Sequence, residues 1–568
     1  MYVRVTKSGP RRYLRLVEGY RDQEGKVKQR TVANLGRLDQ FGEDKVDGLI
    51  RSLQRAVGRS EPDPDALEFK RARAYGDLWT LHQIWQELGF DQALRKALRS
   101  SHREFDAESL IRAMVFNRLA VPRSKRGVLE WLQEDVRIPG VSPDQLHHEH
   151  LMRAMDALIN HSERVEQAIA GQFKPLLDHE FSIVFWDITT VRIHGEKEVA
   201  EDLRKHGKSK DISGISRQFA LGVAQTSDGL PIAHEVFEGN VAETHTLAPV
   251  IRRLLSQYPI KRVVVVADRG LLSLDNVDTL DALAEQEGLS VDYILAVPGR
   301  RYAEFTDLMA ELHPQLEEQA AAKQQGQEGE AVTETLWQGR RLIVAHNAQR
   351  AAEQRASRRH KIQRLDQLGE ALARRLDNQD AGKPGRGRRS TDRSAHQRFH
   401  QQVLRRQLTN IVKADLGAET FRYDIDEEAW AAAERLDGKL LLVTSLEEYN
   451  AAEIAERYRS LADIERGFRV LKSDIQIAPV YHRLPERIRA HALICFLALV
   501  LYRVLRQRLK AAGSEHSPER ALRVLRRIQQ HKVKISGHTY EGVTKLEPEQ
   551  LDLFESLGVE VPRTPSEK

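Results

Sequence analysis

The sequence contains a single cysteine, Cys495, so it offers neither a disulfide framework nor a zinc site built from cysteines. It also lacks a long apolar run. The longest, Ala492 to Tyr502, is too short to cross a bilayer and predicts a buried helix. The segment Met1 to Tyr13 is basic and has no apolar core of the kind that a signal peptide needs. We therefore expect a cytoplasmic protein without a membrane segment.

Two phosphate-binding motifs are missing as well, because the chain has no P-loop and no glycine-rich dinucleotide motif after a strand. Apolar residues make up 41% of the chain and charged residues 30%, a composition that excludes wholesale disorder. The net charge is only +5, but Arg350–Arg406 holds 16 Lys or Arg against 6 Asp or Glu. That segment indicates either contact with a polyanion or a solvated linker and helix face.

Periodicity and turn residues divide the chain into six predicted regions. They are a small β-rich unit at 1–60, a helical region at 61–175, the first part of an α/β core at 176–298, a region inserted into that core at 299–437, the second part of the core at 438–512, and a C-terminal tail at 513–568. The β-rich unit has three predicted strands, Tyr2–Lys7, Arg12–Arg21 and Lys26–Ala33. In the helical region Asp106 and Ser124 are predicted caps, and a long helix is predicted from Ser142-Pro143 to Phe173. Such helices are compatible with helix-turn-helix DNA binding or with an ordinary bundle.

The next region predicts an α/β fold with a mixed sheet. Its elements follow the order β-β-β-α-β-α-β, which is the order of a ribonuclease-H-like sheet. The predicted strands are Phe181–Ile188, Ile215–Thr226, Pro231–Phe237, Lys261–Ala267 and Tyr293–Val297, with helices at about Thr244–Tyr258 and Ser273–Gln286. The run KRVVVVA is typical of a strand buried on both faces.

The inserted region departs from this pattern. It predicts β-like pieces at Ala331–Ala345 and Thr420–Ile425, and helices at Ala351–Leu376 and His396–Lys413, with a flexible basic connector at Asp377–Ser394 between the helices. The core then resumes with a strand at Lys439–Thr444 and with helices at Ala451–Leu471 and Pro485–Leu509.

Three carboxylates are candidates for chemistry. Asp187 and Asp268 each end a predicted strand, where α/β sheets place their sites, although aspartate is also a common turn residue there. Tyr458, Glu465 and Lys472 are seven residues apart on one predicted helix, so they share a stripe, which could also be an ordinary solvated face.

These carboxylates predict an oxygen-only site. Hard cations such as Mg²⁺, with Mn²⁺ as a substitute, prefer such ligands, and two ions can activate an attacking oxygen and stabilise a leaving oxygen at a phosphodiester. The cluster His147-His148-Glu149-His150 lacks the HExxH spacing, so we do not expect it to bind metal.

Several longer stretches resemble bacterial insertion-sequence DDE transposases of the group with a Tyr-Arg-Glu-Lys signature, the insertion-sequence-four superfamily. The resemblance lies in WDITTV (Trp186–Val191), DGLPIAHEVFEGNVAETHTL (Asp228–Leu247), VVVVADRGLLS (Val263–Ser273), YRSLADIERGFRVLKSDIQIAPVYHR (Tyr458–Arg483) and RYLRLVEGYRDQEGKVKQRTVANLG (Arg12–Gly36).

The resemblance implies a ribonuclease-H-like core with Asp187, Asp268 and Glu465 as the metal-binding triad. It also implies that Tyr458 and Lys472 contact the transposon-end DNA, that the helical region 61–175 is possibly DNA-end-binding, and that the range 299–437 before the catalytic helix is an inserted domain. The signature Arg is replaced by Leu461, so we expect Arg469 or Arg457 to supply the missing cation, with Arg469 favoured because it neighbours Lys472.

We therefore predict a DNA transposase that cleaves transposon ends and joins them to target DNA by metal-dependent phosphoryl transfer. Its expected partners are double-stranded DNA and a second copy of the chain in a synaptic complex, at the nucleoid when DNA is bound. Two alternatives remain open: a nuclease of the same fold that never joins strands, and a DNA-binding protein without catalytic activity.

Overall fold

A computed structural model describes residues 1–23, 25–40, 43–58, 67–99, 105–144, 146–173, 182–195, 199, 202–208, 214–242, 246–258, 262–267, 278, 290–324, 330–383, 389–535 and 538–562. These residues form two compact units. The first combines Met1–Ala74 with Ile528–Lys545, and the second combines Tyr75–Arg527 with Leu546–Val561.

The strands of the described chain, in chain order, are β1 (Tyr2–Ser8), β2 (Arg11–Arg21), β3 (Val27–Arg37), β4 (Leu67–Ala74), β5 (Ser182–Arg192), β6 (Lys205–Lys208), β7 (Ile215–Thr226), β8 (Pro231–Glu238), β9 (Arg262–Ala267), β10 (Ser290–Ala296), β11 (Ala331–Trp337), β12 (Arg340–His346), β13 (Val412–Asp415), β14 (Arg422–Ile425), β15 (Lys439–Thr444), β16 (Gln529–Ile535) and β17 (His538–Val543).

The α-helices of the same residues are α1 (Glu43–Ala56), α2 (Gly76–Glu87), α3 (Phe90–Ala97), α4 (Ala107–Ala120), α5 (Lys125–Glu130), α6 (His148–Asn160), α7 (Ser162–Phe173), α8 (Leu247–Gln257), α9 (Thr306–Gln324), α10 (Ala348–Asp380), α11 (Asp392–Arg406), α12 (Glu427–Leu436), α13 (Ala451–Arg459), α14 (Ala462–Ser473), α15 (Pro485–Ala511), α16 (Pro518–Leu525) and α17 (Pro548–Leu557). Asp106 and Ser124 cap α4 and α5 as predicted, each accepting a backbone N–H bond.

The first unit contains two antiparallel sheets of three strands. Strands β1, β2 and β3 form one of them, which confirms the three strands predicted for the N-terminal region. The other sheet has the order β17-β16-β4, with Gln529 opposite Ala74. The C-terminal region, for which the sequence pattern indicated only a polar tail, therefore contributes two strands to this unit.

A mixed sheet of nine described strands organises the second unit, which confirms the α/β prediction. Its order is β11-β12-β15-β10-β9-β5-β7-β6, and β8 pairs with β7. The three central strands β5, β9 and β10 run parallel, and the others are antiparallel. In β9, Val263–Ala267 are at most 1% exposed, as the run KRVVVVA predicts.

The predicted inserted range 299–437 contains two strands of this sheet, because β12 pairs with β15 and β11 pairs with β12. The elements from α10 to β14 instead share a core of their own, centred on Phe399, Leu365 and Phe421. The predicted helix His396–Lys413 is too long. It ends as α11 at Arg406, where Gln407 takes a left-handed conformation, and Val412 begins β13.

The helical region packs as a bundle. The predicted long helix from Ser142 to Phe173 is wrong, since the chain forms α6 and α7 with His161 between them. Helix α4 is buried from Ala107 to Arg118 and packs against α15, so it cannot insert into a DNA groove as a recognition helix. Helix α15 is long and apolar enough to cross a membrane, but 94% of its most apolar window is buried in the protein. That burial is typical of a core helix.

Candidate active site

Asp187 lies on β5 between the buried side chains of Trp186 and Ile188. It is half-buried, and its Oδ1 accepts a hydrogen bond of 2.7 Å from the backbone N–H of Ile188. The prediction that Asp187 ends its strand is wrong, because β5 continues to Arg192. The physical reason is that antiparallel pairing with β7 extends to Arg192, whereas the parallel pairing with β9 stops at Trp186. Asp187 is therefore the first residue beyond the parallel ladder.

The parallel neighbour β9 ends at Ala267, which is the partner of Trp186 in the ladder. Asp268, the next residue of the sequence, lies outside the described residues, as does the helix predicted near Ser273–Gln286 apart from Asp278. Strand β10 continues the parallel ladder on the other side of β9, with Leu295 opposite Ala267. The carboxyl ends of the central strands thus meet at one edge of the sheet, where Asp187 lies.

A glycine on β7 positions the tryptophan next to Asp187. Gly222 faces Ile188 in the β5–β7 ladder, and a Cβ at this position would lie 2.1 Å from Cη2 of Trp186. The indole occupies that space and meets the Phe237 ring edge-on, with ring centroids 6.4 Å apart. Only glycine allows this approach without displacement of the ring.

The predicted helix Ala451–Leu471 is two helices in the structure, α13 and α14. The first begins with a capping box, in which Asn450 and Glu453 exchange hydrogen bonds of 2.9 and 3.0 Å. At the junction, the backbone N–H of Leu461 bonds to the carbonyl of Tyr458, a tighter i→i−3 bond than that of an α-helix. The seven-residue stripe is therefore interrupted, with half-buried Tyr458 on α13 and half-buried Lys472 on α14.

Helix α14 packs against β5, the strand of Asp187, and against α15. Its buried face includes Phe468 and Leu471, and Gly467 approaches the sheet closely. A Cβ on Gly467 would lie 2.8 Å from Nε2 of Gln225 and 3.0 Å from Nη2 of Arg503. Glu465 is on this helix, but its side chain lies outside the described residues.

Three residues are relevant to the missing signature Arg. Leu461 is 6% exposed and packs into the core. The Arg457 guanidinium lies 3.9 Å from the centroid of the Tyr449 ring, a cation–π contact on α13. Arg469 is exposed on α14, three residues before Lys472. Arg457 and Arg469 therefore belong to different helices, and Arg469 is the more accessible cation.

The predicted basic segment Arg350–Arg406 lies mainly on α10 and α11. Arg350, Lys361 and Arg406 line a cavity of about 530 Å³ together with Arg358, which forms an ion pair with Asp437. The predicted connector Asp377–Ser394 includes the end of α10 and the start of α11, while 384–388 lie outside the described residues.

The described residues contain no group of three or more His, Cys, Asp or Glu side chains arranged to bind a metal ion. In the histidine cluster, the backbone N–H of His147 donates a hydrogen bond to Nδ1 of His150 at the start of α6. Asp187 offers carboxylate oxygens of the kind that hard cations prefer, and the other two predicted ligands, Asp268 and the Glu465 side chain, are not described.

Sequence reasoning missed one charged cluster near the end of β5. Asp202 is buried and accepts bonds of 2.7 Å from both Arg204 and Arg217. Burial alone raises the pKa of Asp202, but the Arg204 bonds outweigh it and lower the pKa to about 2. The pair Asp202 and Arg204 is only two residues apart in a polar stretch, so no periodicity marks it as buried. The cluster links Asp202 and Arg204 to Arg217 on β7.

Comparison with known families gives two matches. Residues 178–501 match the family model described as "Transposase DDE domain", which covers more than half of the chain. Residues 3–65 match the model described as "IS1634 family transposase, N-terminal domain". No curated protein matches the chain.

Proposed function

Because the chain belongs to the DDE transposases of bacterial insertion sequences, with an N-terminal domain of the IS1634 family, we propose that it cleaves the ends of its own element and joins them to target DNA. The proposed core is ribonuclease-H-like, and the proposed catalytic residues are Asp187, Asp268 and Glu465.

One observation carries the assignment of the triad. Helix α14, which bears Glu465, packs against β5, which bears Asp187. The parallel ladder between β5 and β9 ends at the pair Trp186 and Ala267, one residue before Asp187 on one strand and one before Asp268 in the sequence. These contacts support the proposal that β5, the residue after β9 and α14 each supply one carboxylate to one site.

The donor chemistry fits Mg²⁺ or Mn²⁺, since all three proposed ligands are carboxylates. Bound at this position, a pair of such ions would lower the barrier for attack on a phosphodiester and stabilise the leaving oxygen. The protein positions its carboxylates by burial: Trp186 and Ile188 fix the strand on both sides of Asp187. The contact of α14 with β5 fixes the helix of Glu465 in the same way.

The proposed DNA contacts follow from charge and exposure. Tyr458, Lys472 and Arg469 lie on the two helices next to the proposed triad, and Arg457 is the second candidate for the missing cation. The basic segment Arg350–Arg406 supplies cations for phosphate contacts that carry no sequence information. We further propose that two copies of the chain pair two DNA ends, and that the protein works in the cytoplasm at the nucleoid.

The triad is tested by Asp187→Ala, Asp268→Ala and Glu465→Ala, each in the full-length chain. Labelled DNA from both flanks of the gene is the substrate, and nicking and gel-shift binding are measured side by side. Each variant should lose nicking and keep DNA binding, because only the metal ligands are removed. A variant that nicks at the wild-type rate would remove its residue from the triad.

The matched control is Glu456→Ala, an exposed carboxylate on α13. It should nick like the wild type. The products separate the alternative functions as well: joined strands indicate a transposase, cleavage alone a nuclease, and a shifted but uncut band a DNA-binding protein.

A further inference from the structure

A second basic cavity lies between the helical bundle and the segment that follows α14. Its volume is about 450 Å³, and its walls come from the end of α4, from α5, from α6 and from the segment 476–482. The charged and titratable side chains of its lining are Arg118, Arg123, Lys125, Arg126, three histidines and Tyr481. No carboxylate belongs to the lining formed by the described residues.

Two of these cations are buried. Lys125 is 7% exposed and Arg118 is 5% exposed. Arg118 donates to the backbone carbonyls of Gln476 and Arg123, but its Nε has no hydrogen-bond partner among the described residues. No described carboxylate forms an ion pair with either of them, whereas Arg123, nearer the surface, pairs with Asp135 at 3.0 Å. Buried charges without a counterion are costly, so the cavity is built to receive one.

The electrostatic environment agrees with that geometry. Burial and, to a smaller extent, the Arg118 guanidinium lower the pKa of Lys125 to about 7, opposed only by the Cys495 thiol. Burial also lowers the pKa of His482 to about 4, and its charged neighbours, Lys125 and Arg487 foremost, act in the same direction. An anion in the cavity would favour the charged form of Lys125 and offset the cost of burying it.

The cavity is connected to the proposed active site by the strand of Asp187. Its wall residue Val480 forms a parallel bridge with Ile193, directly after β5, and accepts a 3.0 Å hydrogen bond from the backbone N–H of His194. Asp187 and Ile193 are six residues apart on an extended chain, roughly 20 Å at about 3.3 Å per residue. Duplex DNA advances about 3.4 Å per base pair, so roughly six base pairs cover that distance.

The rim of the cavity favours a polymer over a small free anion. Tyr481 is 67% exposed, and the side chain of Arg126 is 86% exposed on the first turn of α5. An extended polyanion can lie across this rim while a single phosphate enters between the buried cations.

We propose that the cavity around Lys125 and Arg118 binds one backbone phosphate of duplex DNA, about six base pairs from the scissile phosphate. The proposal deepens the proposed function, on which it rests, since it gives the helical region a phosphate contact at named residues. It adds an anchor that fixes the position of the duplex relative to Asp187 and carries no sequence information itself.

The test is the salt dependence of DNA binding by the full-length protein. A labelled 30-bp duplex of mixed sequence is titrated in EDTA between about 50 and 200 mM salt, with fluorescence anisotropy as the readout. Lys125→Met removes the charge and keeps a long unbranched side chain. It should weaken binding several-fold and reduce the slope of log K against log salt by about 0.9, the value for one lost phosphate contact. Lys125→Arg, which keeps the charge, should preserve the slope.

Arg164→Met is the matched control, because Arg164 is an exposed cation on α7 outside the cavity. It removes the same charge and should leave the slope unchanged. An unchanged slope in Lys125→Met would overturn the proposal, provided that circular dichroism shows a folded protein. If the slope of log K against log salt falls no more in Lys125→Met than in Arg164→Met, the change reflects net charge alone. The proposal then also fails.

A second arm separates DNA from a free anion. Thermal unfolding of the wild type is compared in inorganic phosphate and in chloride at equal ionic strength. The decisive result would have two parts: phosphate stabilises the wild type but not Lys125→Met, and the slope of log K for DNA binding against log salt is the same in both. That result would show a free-anion site and overturn the DNA assignment. Binding in EDTA requires no catalysis, so this test and the nicking test of the triad fail independently.

Discussion

Gly222→Ala tests the packing that positions Asp187. The new Cβ would lie 2.1 Å from Cη2 and 2.3 Å from Cζ2 of Trp186, whereas carbon atoms pack at about 3.5–4.0 Å. The indole must therefore withdraw by more than about 1 Å. It is 1% exposed and already meets Phe237, so the sheet has to shift with it.

Overpacking of a closed core typically lowers the free energy of unfolding by about 1–3 kcal/mol. We expect a loss near the upper end of that range for Gly222→Ala. Because Trp186 precedes Asp187, we also expect nicking to fall on the order of 100-fold, the usual effect of a displacement of about 1 Å in an active site. Stability is measured by urea denaturation followed by circular dichroism, and nicking on DNA from the flanks of the gene.

Two further variants make the argument refutable. Trp186→Leu removes the ring, so the double variant with Gly222→Ala should be more stable than the sum of the two single effects predicts. Gly171→Ala is the control, because no described atom other than its chain neighbours and the backbone of its own helix lies within 4 Å of its added Cβ. Stability within about 0.5 kcal/mol of the wild type and full nicking in Gly222→Ala would refute the reasoning.

Three other predictions concern metal, proteolysis and the missing Arg. Nicking should require Mg²⁺ or Mn²⁺, while Ca²⁺ should support DNA binding with little cutting because its bonds are longer and its geometry is looser; full cleavage in excess chelator would contradict this. Trypsin should cut first within Asp377–Ser394 in the free protein, and bound DNA should slow that cut; equal digestion in both states would reduce the segment to an ordinary linker. Arg469→Ala should lower the slope of log K against log salt for binding of the transposon ends by about 0.9. Arg457→Ala loses the contact with Tyr449 and should mainly destabilise α13. Unchanged slopes in both variants would mean that no cation substitutes at Leu461.

The local signals in the sequence predicted most elements of the central sheet. The β-branched run of β9 and the strand Lys439–Thr444 were confirmed, because continuous apolar residues leave few alternatives to a buried strand. The junction at Leu461 was not predicted, since one i→i−3 bond shortens a turn without changing the apolar periodicity around it.

Long-range pairing was beyond the reach of sequence patterns. Strand β12 joins the main sheet through contacts such as Arg341 with Thr444, and β16 pairs with β4 across most of the chain. Neither strand differs in composition from one that pairs with its neighbour in sequence, so the partners could not be inferred. The prediction that β5 ends at Asp187 was wrong for a related reason. At Asp187 the pairing with β9 stops, while the pairing with β7 and the strand itself continue.

The cavity at Lys125 also had no sequence signal. The sequence pattern around Arg118 and Lys125 is that of ordinary surface cations on two short helices. The segment 476–482, which forms another wall of the cavity, is more than 300 residues away in sequence. Only the packing of the bundle against this segment buries the two charges together.

A strand-transfer assay tests the central claim most directly. Labelled DNA from both flanks of the gene is incubated with a target plasmid, Mg²⁺ and either the wild type or Asp187→Ala. The account predicts labelled strands joined to the plasmid with the wild type and no nicked or joined product with Asp187→Ala, although both proteins shift the DNA in a gel. Cleaved ends that never join, or a wild-type protein that binds the ends and leaves them uncut, would contradict it.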